Sequence, residues 1–166
     1  MSHQPVIDGL DFARAGGRLQ GAWPVTEFQR LRDALLSDAG SLRYELRGVP
    51  DEQGHPALRL KVEGTLQLAC QRCLAPLAWP LRIESTLRLA VTQAEVDAEP
   101  LEAEGPESIV AGKEMQVRML VEDEVLLALP LAPRHESCTG AARGAQADVR
   151  QGPFAGLRGL IGGAKH

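Results

Sequence analysis

The sequence predicts an α+β fold in which a mainly antiparallel sheet is joined by two principal helices and a flexible acidic loop. Three observations carry this expectation. Apolar residues alternate with period two through three stretches between Ser41 and Val91, and two other stretches repeat with helical period. The third is that the two longest alternating runs are separated only by the short turn "CQRCLAP", which makes an antiparallel pair the simplest topology.

Taken in order, the N-terminal arm is loose. "PVTEFQRLRDALLSDAG" then reads as a helix, with Thr26 and Gln29 at capping-box spacing, Phe28, Leu31 and Leu35 on one face, and Gly40 at its end. In "SLRYEL", Leu42, Tyr44 and Leu46 share one side of a strand, and "GVPDEQGHP" turns the chain. Leu58, Leu60, Val62, Gly64, Leu66, Leu68 and Cys70 keep one parity, with Arg59, Lys61, Glu63 and Gln67 opposite. This predicts one long strand bent at Gly64, where no side chain resists the bend. Leu81, Ile83, Ser85, Leu87, Leu89 and Val91 repeat the alternation. Residues 92–113 are acidic and poor in aromatics and read as a mobile loop. A second helix is predicted from Val117 to Leu129, stopped by Pro130. These elements make one domain over residues 1–138. Residues 139–166 read as a flexible linker and a docking tail, "GPFAGLRGLIGG", whose Phe154, Leu157, Leu160 and Ile161 form an apolar stripe.

At 166 residues the chain can bury a core without disulfides. Aromatic residues are only 4%, so that core must be mostly Leu, Val and Ala. No apolar stretch approaches the ~20 residues of a membrane span. The opening "MSHQPVIDGLDFARAGG" lacks the pattern of a secretory signal. A cytoplasmic address with reduced thiols is therefore expected. The net charge of −4 is uneven: ten acidic residues lie between Glu95 and Glu124, whereas the tail carries Arg143, Arg150, Arg158 and Lys165 against Asp148. Such a balance is not that of a dedicated nucleic-acid binder, and tail contacts to phosphate would be weak and salt-sensitive.

The three cysteines are Cys70 and Cys73 in "CQRC" and Cys138 in "HESC". Redox catalysis usually places Cys-x-x-Cys at a helix N-terminus, where the dipole lowers the thiol pKa, but Pro76 and Pro80 are hostile to a helix here. Zinc fits the spacing better. Thiolates at about 2.3 Å from the metal lie ~3.8 Å apart, which two cysteines around a two-residue turn reach without strain. Cys138 offers a third ligand and His135 a fourth. The alternative is that Cys70, which shares the inward parity of Leu68, is a small core residue.

In "VRMLVEDEVLLALP" a helical projection places Glu124 in the middle of an apolar face, with Glu122 and Asp123 pointing elsewhere. An unpaired buried carboxylate costs several kcal/mol. Glu124 thus needs either an internal arginine, Arg72 or Arg134, or a cation on a binding partner. Glu124→Gln is expected to cost more stability or binding than Glu122→Gln. The chain has no phosphate-binding glycine loop, no nucleophile elbow and only scattered histidines, so no catalytic residue is assigned and no small-molecule substrate is expected.

Three stretches, "LACQRCLAP", "MLVEDEVLLALPLAPRHESC" and "GPFAGLRGL", resemble in order and spacing the YceD family of bacterial large-subunit ribosomal RNA accumulation proteins. "FARAGGRLQG" is similar to that family's N-terminal region, and the likeness covers about residues 10–160. The resemblance implies a non-enzymatic role in accumulation of the large-subunit (23S) ribosomal RNA, through a basic ribosomal protein, an assembly factor or pre-ribosomal RNA. On this reading Glu122, Asp123, Glu124, Arg72, Pro153 and Phe154 are candidate partner contacts. Some branches of the family look richer in cysteine after the Leu-Pro motif, so "HESCTG" resembles a reduced metal-binding knuckle. That strengthens zinc on Cys70, Cys73, Cys138 and His135. Gly152 stands where an Asn-Pro-Phe-Ala motif would have asparagine, so a contact from that side chain is missing here. A zinc- or thiol-dependent regulatory binding protein is the alternative function.

Overall fold

The computed structural model describes residues 4–99 and 105–138. Five strands form one sheet in the order β2 (Arg18–Pro24), β3 (Ser41–Pro50), β4 (Pro56–Ala69), β5 (Pro76–Ala90) and β6 (Glu107–Val110). The first four run antiparallel, as the alternation predicts, while β6 joins β5 in parallel. β1 (Val6–Ile7) and β7 (Met115–Gln116) pair separately and tie the N-terminal arm to the start of α4 (Val117–Ala128). Among the described residues there are also three short α-helices: α1 (Gly9–Arg14), α2 (Gln29–Arg32) and α3 (Gln93–Asp97).

α1, α2 and α4 pack against one face of the sheet. Leu42, Leu46, Leu58, Leu60, Val62 and Leu66 are fully buried there against Val117, Val121 and Val125 of α4. Each such side chain contributes about 1.5–3 kcal/mol of burial free energy. α1 sits so close to β3 that a Cβ on Gly48 would lie 2.4 Å from the Phe12 carbonyl oxygen. Glycine is therefore required by contact at that position. β4 runs unbroken through Gly64 as expected, but its pairing with β3 ends there, and beyond it β4 is bonded to β5.

Two expectations are corrected. The predicted helix over 24–40 is instead a 3-10 turn at Val25–Glu27 and the single turn α2, separated by Phe28 in an extended conformation. No side chain within the segment caps either piece, so the Thr26–Gln29 capping box does not form. Packing decides the shape: Val25, Phe28 and Leu31 are each completely buried, and Phe28 meets Trp23 edge to face while Trp23 stacks on Tyr44 at 4.3 Å. A helix this short draws its stability from such contacts rather than from local propensity. The second correction concerns residues 92–113, which carry α3 and β6 rather than a continuous loop. Thr92 accepts a hydrogen bond from the Glu95 N–H and so caps α3. No helix among the described residues is long and apolar enough to cross a membrane. The linker and tail expected at 139–166 lie outside the described residues.

Candidate metal centre

The turn between β4 and β5 is closed by Cys70, whose N–H donates to the Ala75 carbonyl at 3.0 Å and whose carbonyl accepts from Leu74 at 2.8 Å. Leu74 takes φ 60, a left-handed conformation that costs a branched side chain about 1 kcal/mol or more. The turn is thus held against its own backbone preference. The segment 130–138 after α4 has no helix or strand. It is laid beside this turn by the Gln71 N–H, which donates to the Pro133 carbonyl at 2.8 Å.

This docking brings Cys70, Cys73, His135 and Cys138 together, with their ligating atoms all within 4.8 Å of one another. Cys70 Sγ lies 3.7 Å from Cys138 Sγ, and His135 Nδ1 lies 3.3 Å from Cys73 Sγ and 3.9 Å from Cys138 Sγ. Tetrahedral zinc with three thiolates and one imidazole needs S···S edges of ~3.8 Å and S···N edges of ~3.6 Å. The S···S edge falls just under its length, and the two S···N edges fall on either side of theirs. All three cysteines are free thiols.

The surroundings orient the ligands. The Nε2 of His135 is 3.0 Å from the Pro76 carbonyl, which fixes a proton on that nitrogen and leaves the Nδ1 lone pair aimed at the sulfurs. Arg72 Nε donates to Cys138 Sγ at 2.9 Å, and its Nη2 reaches the His135 carbonyl at 3.4 Å. Burial pushes the Cys70 thiol up, but hydrogen bonds from the backbone of His135, Arg72 and Cys73 outweigh it and bring the thiol down to about 5. The Arg72 guanidinium lowers the Cys138 thiol. Hydrogen bonding to Cys138 raises the His135 imidazole. At Cys73 a hydrogen bond from the Ala75 backbone lowers the thiol, while burial and the two neighbouring sulfurs outweigh it and raise it. A site with thiolate character, a guanidinium to spread the charge and an oriented imidazole could hold a soft divalent cation.

The other candidate residues separate. Glu124, expected in the middle of the apolar face, is only half-buried and makes no hydrogen bond or ion pair among the described residues. Glu122 is the buried acid, 6% exposed. Its Oε1 accepts the N–H groups of Arg30 at 2.8 Å and Leu31 at 3.1 Å, and its Oε2 lies 3.3 Å from Arg30 Nε. Asp123 takes the other end of the same guanidinium at 2.6 Å. The internal partner is therefore Arg30, not Arg72 or Arg134, and Glu122 is engaged within the chain rather than offered to a partner. A single carboxylate from α4 caps the first turn of α2 across the fold, a contact between residues 91 and 92 positions apart that no local pattern reports. Pro153 and Phe154 lie outside the described residues.

Residues 58–160 match the family described as large ribosomal RNA subunit accumulation protein YceD. Over 117 residues the chain is 29% identical to the Large ribosomal RNA subunit accumulation protein YceD of Haemophilus influenzae, covering 70% of this chain and 67% of that protein. No solved structure matches the chain. The family match spans more than half of the sequence, and the chain belongs to the YceD family.

Proposed function

We propose that this member of the YceD family supports accumulation of the large-subunit (23S) ribosomal RNA as a non-enzymatic cytoplasmic binding protein, and that Cys70, Cys73, His135 and Cys138 hold a structural zinc ion. The family's tie to large-subunit ribosomal RNA supports the first part. The second part rests on one observation: three thiols and an imidazole converge from two separate segments at tetrahedral edge lengths, with the imidazole oriented by a backbone carbonyl.

Bound there, zinc would supply a crosslink rather than chemistry, because four protein ligands leave no open position for substrate. The crosslink would fasten the 130–138 segment, which has no helix or strand, to the β4–β5 turn. Binding of a ribosomal protein, an assembly factor or pre-ribosomal RNA then draws on a surface in which residues 130–138 are held in place. A second reading, thiol-dependent regulation, is favoured by the 3.7 Å separation of Cys70 and Cys138 sulfurs.

Metal analysis of protein purified under reducing conditions tests the site, with about one zinc per chain expected and less than a tenth of that in Cys70→Ser/Cys138→Ser. Sedimentation with ribosomal precursor particles from growing cells tests the role. A folded, metal-free wild type removes the zinc reading, and absence of the protein from every particle fraction removes the assembly reading.

A further inference from the structure

Along β2, β3 and the middle of β4 and β5 the second face of the sheet is exposed or half-buried, whereas Ala57 and Ser108 toward β6 are buried, and its charges follow the strand register. In one cross-strand row, Gln20–Glu45–Lys61–Glu84, Lys61 Nζ is 3.0 Å from Glu84. In the next row, Ala22–Arg43–Glu63–Arg82, the Glu63 carboxylate lies 3.3 Å from Arg82 and 3.7 Å from Arg43. Both rows balance much of their charge internally. The third row is Arg18–Arg47–Arg59–Thr86, with three guanidiniums on adjacent strands and no acid. Adjacent strands are ~4.8 Å apart, and like charges directly opposite one another destabilise a sheet.

Arg47 is bonded to Glu45 of its own strand. Arg18 and Arg59 are exposed and make no ion pair or hydrogen bond among the described residues. Arg59 also lines a hollow of about 460 Å³ with Thr86, Gly105 and Pro106, where Glu52 is the exposed acid and the Asp51 carboxylate is already taken by His55 and Arg88. On the three rows together, six cations face three acids, although the whole chain is at −4. The fold therefore separates charge that the sequence mixes.

We propose that the Arg18–Arg47–Arg59 row binds the phosphodiester backbone of RNA. A row in which Arg18 and Arg59 have no acidic partner among the described residues, and Arg47 between them shares Glu45, suits a polyanion with regularly repeated charge, and arginine's planar fork matches phosphate oxygens. The choice of RNA among polyanions rests on the proposed role in ribosomal RNA accumulation. No aromatic side chain stands on the outward positions of these strands, where Tyr44 and Trp23 point inward. Contact therefore runs through phosphate rather than stacked bases and discriminates little between sequences.

The test titrates full-length protein against a labelled single-stranded transcript of large-subunit ribosomal RNA between about 50 and 200 mM salt. Arg18→Gln/Arg59→Gln is expected to lower affinity about tenfold and to flatten the log-affinity against log-salt slope by about 1.4, from ~0.7 per lost phosphate contact. Its melting temperature should stay level or rise, since repulsion is removed, which separates loss of binding from loss of fold. Arg32→Gln, away from this face and paired with Asp38, serves as control and should bind as wild type. Unchanged affinity in the double variant overturns the proposal, as does loss of affinity for an acidic protein with none for the transcript. If the pure protein ignores the transcript but still sediments with precursor particles, the phosphate reading of the sheet fails and the assembly role stands. If it does neither, both fail.

Discussion

Two polar clusters face opposite fates in this molecule. Around Glu122 every strong donor and acceptor is answered from within the chain: two backbone N–H groups and a guanidinium meet one buried carboxylate. Around Cys70 the groups that meet are three sulfurs and an imidazole nitrogen, all acceptors or weak donors once the thiols ionise. The first cluster is complete as it stands and reads as architecture. The second brings lone pairs together with one guanidinium to offset them, which is the arrangement a cation completes. The difference teaches that burial alone does not mark a functional acid or thiol; the balance of donors and acceptors around it does.

The largest effect should come from breaking the complete cluster. Glu122→Ala removes the cap on α2 and leaves the Arg30 and Leu31 N–H groups without their acceptor. Hydrogen bonds to charged groups are worth about 1.5–3 kcal/mol each, so a loss of ~3 kcal/mol in urea unfolding is expected. A loss below ~1 kcal/mol would mean that the junction of α2 and α4 relaxes and that its completeness is only apparent. Emptying the metal-ready cluster should act more locally. Chelator treatment, or Cys138→Ser, is expected to abolish amide-exchange protection at Gln71, whose N–H holds the Pro133 carbonyl, while core amides of β4 keep theirs. Global loss of protection instead would make the site part of the core's stability rather than a clamp on one segment.

A third cluster, at the opposite end of β4 from Cys70, sharpens the contrast by pH. Asp51 caps the β3–β4 turn and its carboxyl is nearly inaccessible, 1% exposed. Burial raises its pKa, but hydrogen bonds from His55, Arg88 and Gln53 outweigh that and hold it at about 2, below the ordinary 3.8. A depressed carboxyl contributes stability that is fully present above the unfolded value and is lost as pH falls through the folded one. Wild type should thus lose this contribution between about pH 4 and pH 2. Asp51→Asn should melt lower than wild type at pH 7, by a few degrees, with the gap closing in that window. A gap that persists unchanged at pH 2 would assign the effect to the shape of the turn rather than to its charge.

The meander of β3, β4 and β5 was legible because period-two alternation, short in "SLRYEL" and long in the next two runs, reports a half-buried strand directly, although β3 runs on to Pro50 through residues read as a turn. So were the extent of α4, stopped by Pro130, and the convergence of the Cys and His side chains of "CQRC" and "HESC". What escaped depends on pairing at long range. α2 is cut short because Phe28 and Leu31 dock into the aromatic cluster with Trp23 and Tyr44. β6 is too short to alternate and is held by β5. The arginine row is invisible in the sequence because Arg18, Arg47 and Arg59 become neighbours only through the register of three strands. An overall acidic count therefore concealed a basic face.

The smallest expected effect concerns the acid that the helical projection favoured. Counting Leu120, Leu127 and Ala128 as core places Glu124 at the centre of the face, yet Leu127 is 72% exposed. The buried stripe is Val117, Val121 and Val125 with Glu122 beside it, about a quarter turn away. Apolarity in a projection does not say which way the sheet lies, and α4 centres its β-branched stripe on the core, with Leu120 and Leu126 packed at its margins and Leu127 turned outward. Glu124 is left on the wall of a mostly apolar groove of about 350 Å³ with Leu120, Leu126 and Leu127, half in solvent. Glu124→Gln should therefore change unfolding free energy by no more than ~0.5 kcal/mol, as surface substitutions do. Glu122→Gln, which keeps the shape but loses the charge facing two N–H groups and Arg30, should cost several times as much. Equal losses in parallel urea titrations would restore Glu124 to the core and rotate the helix back.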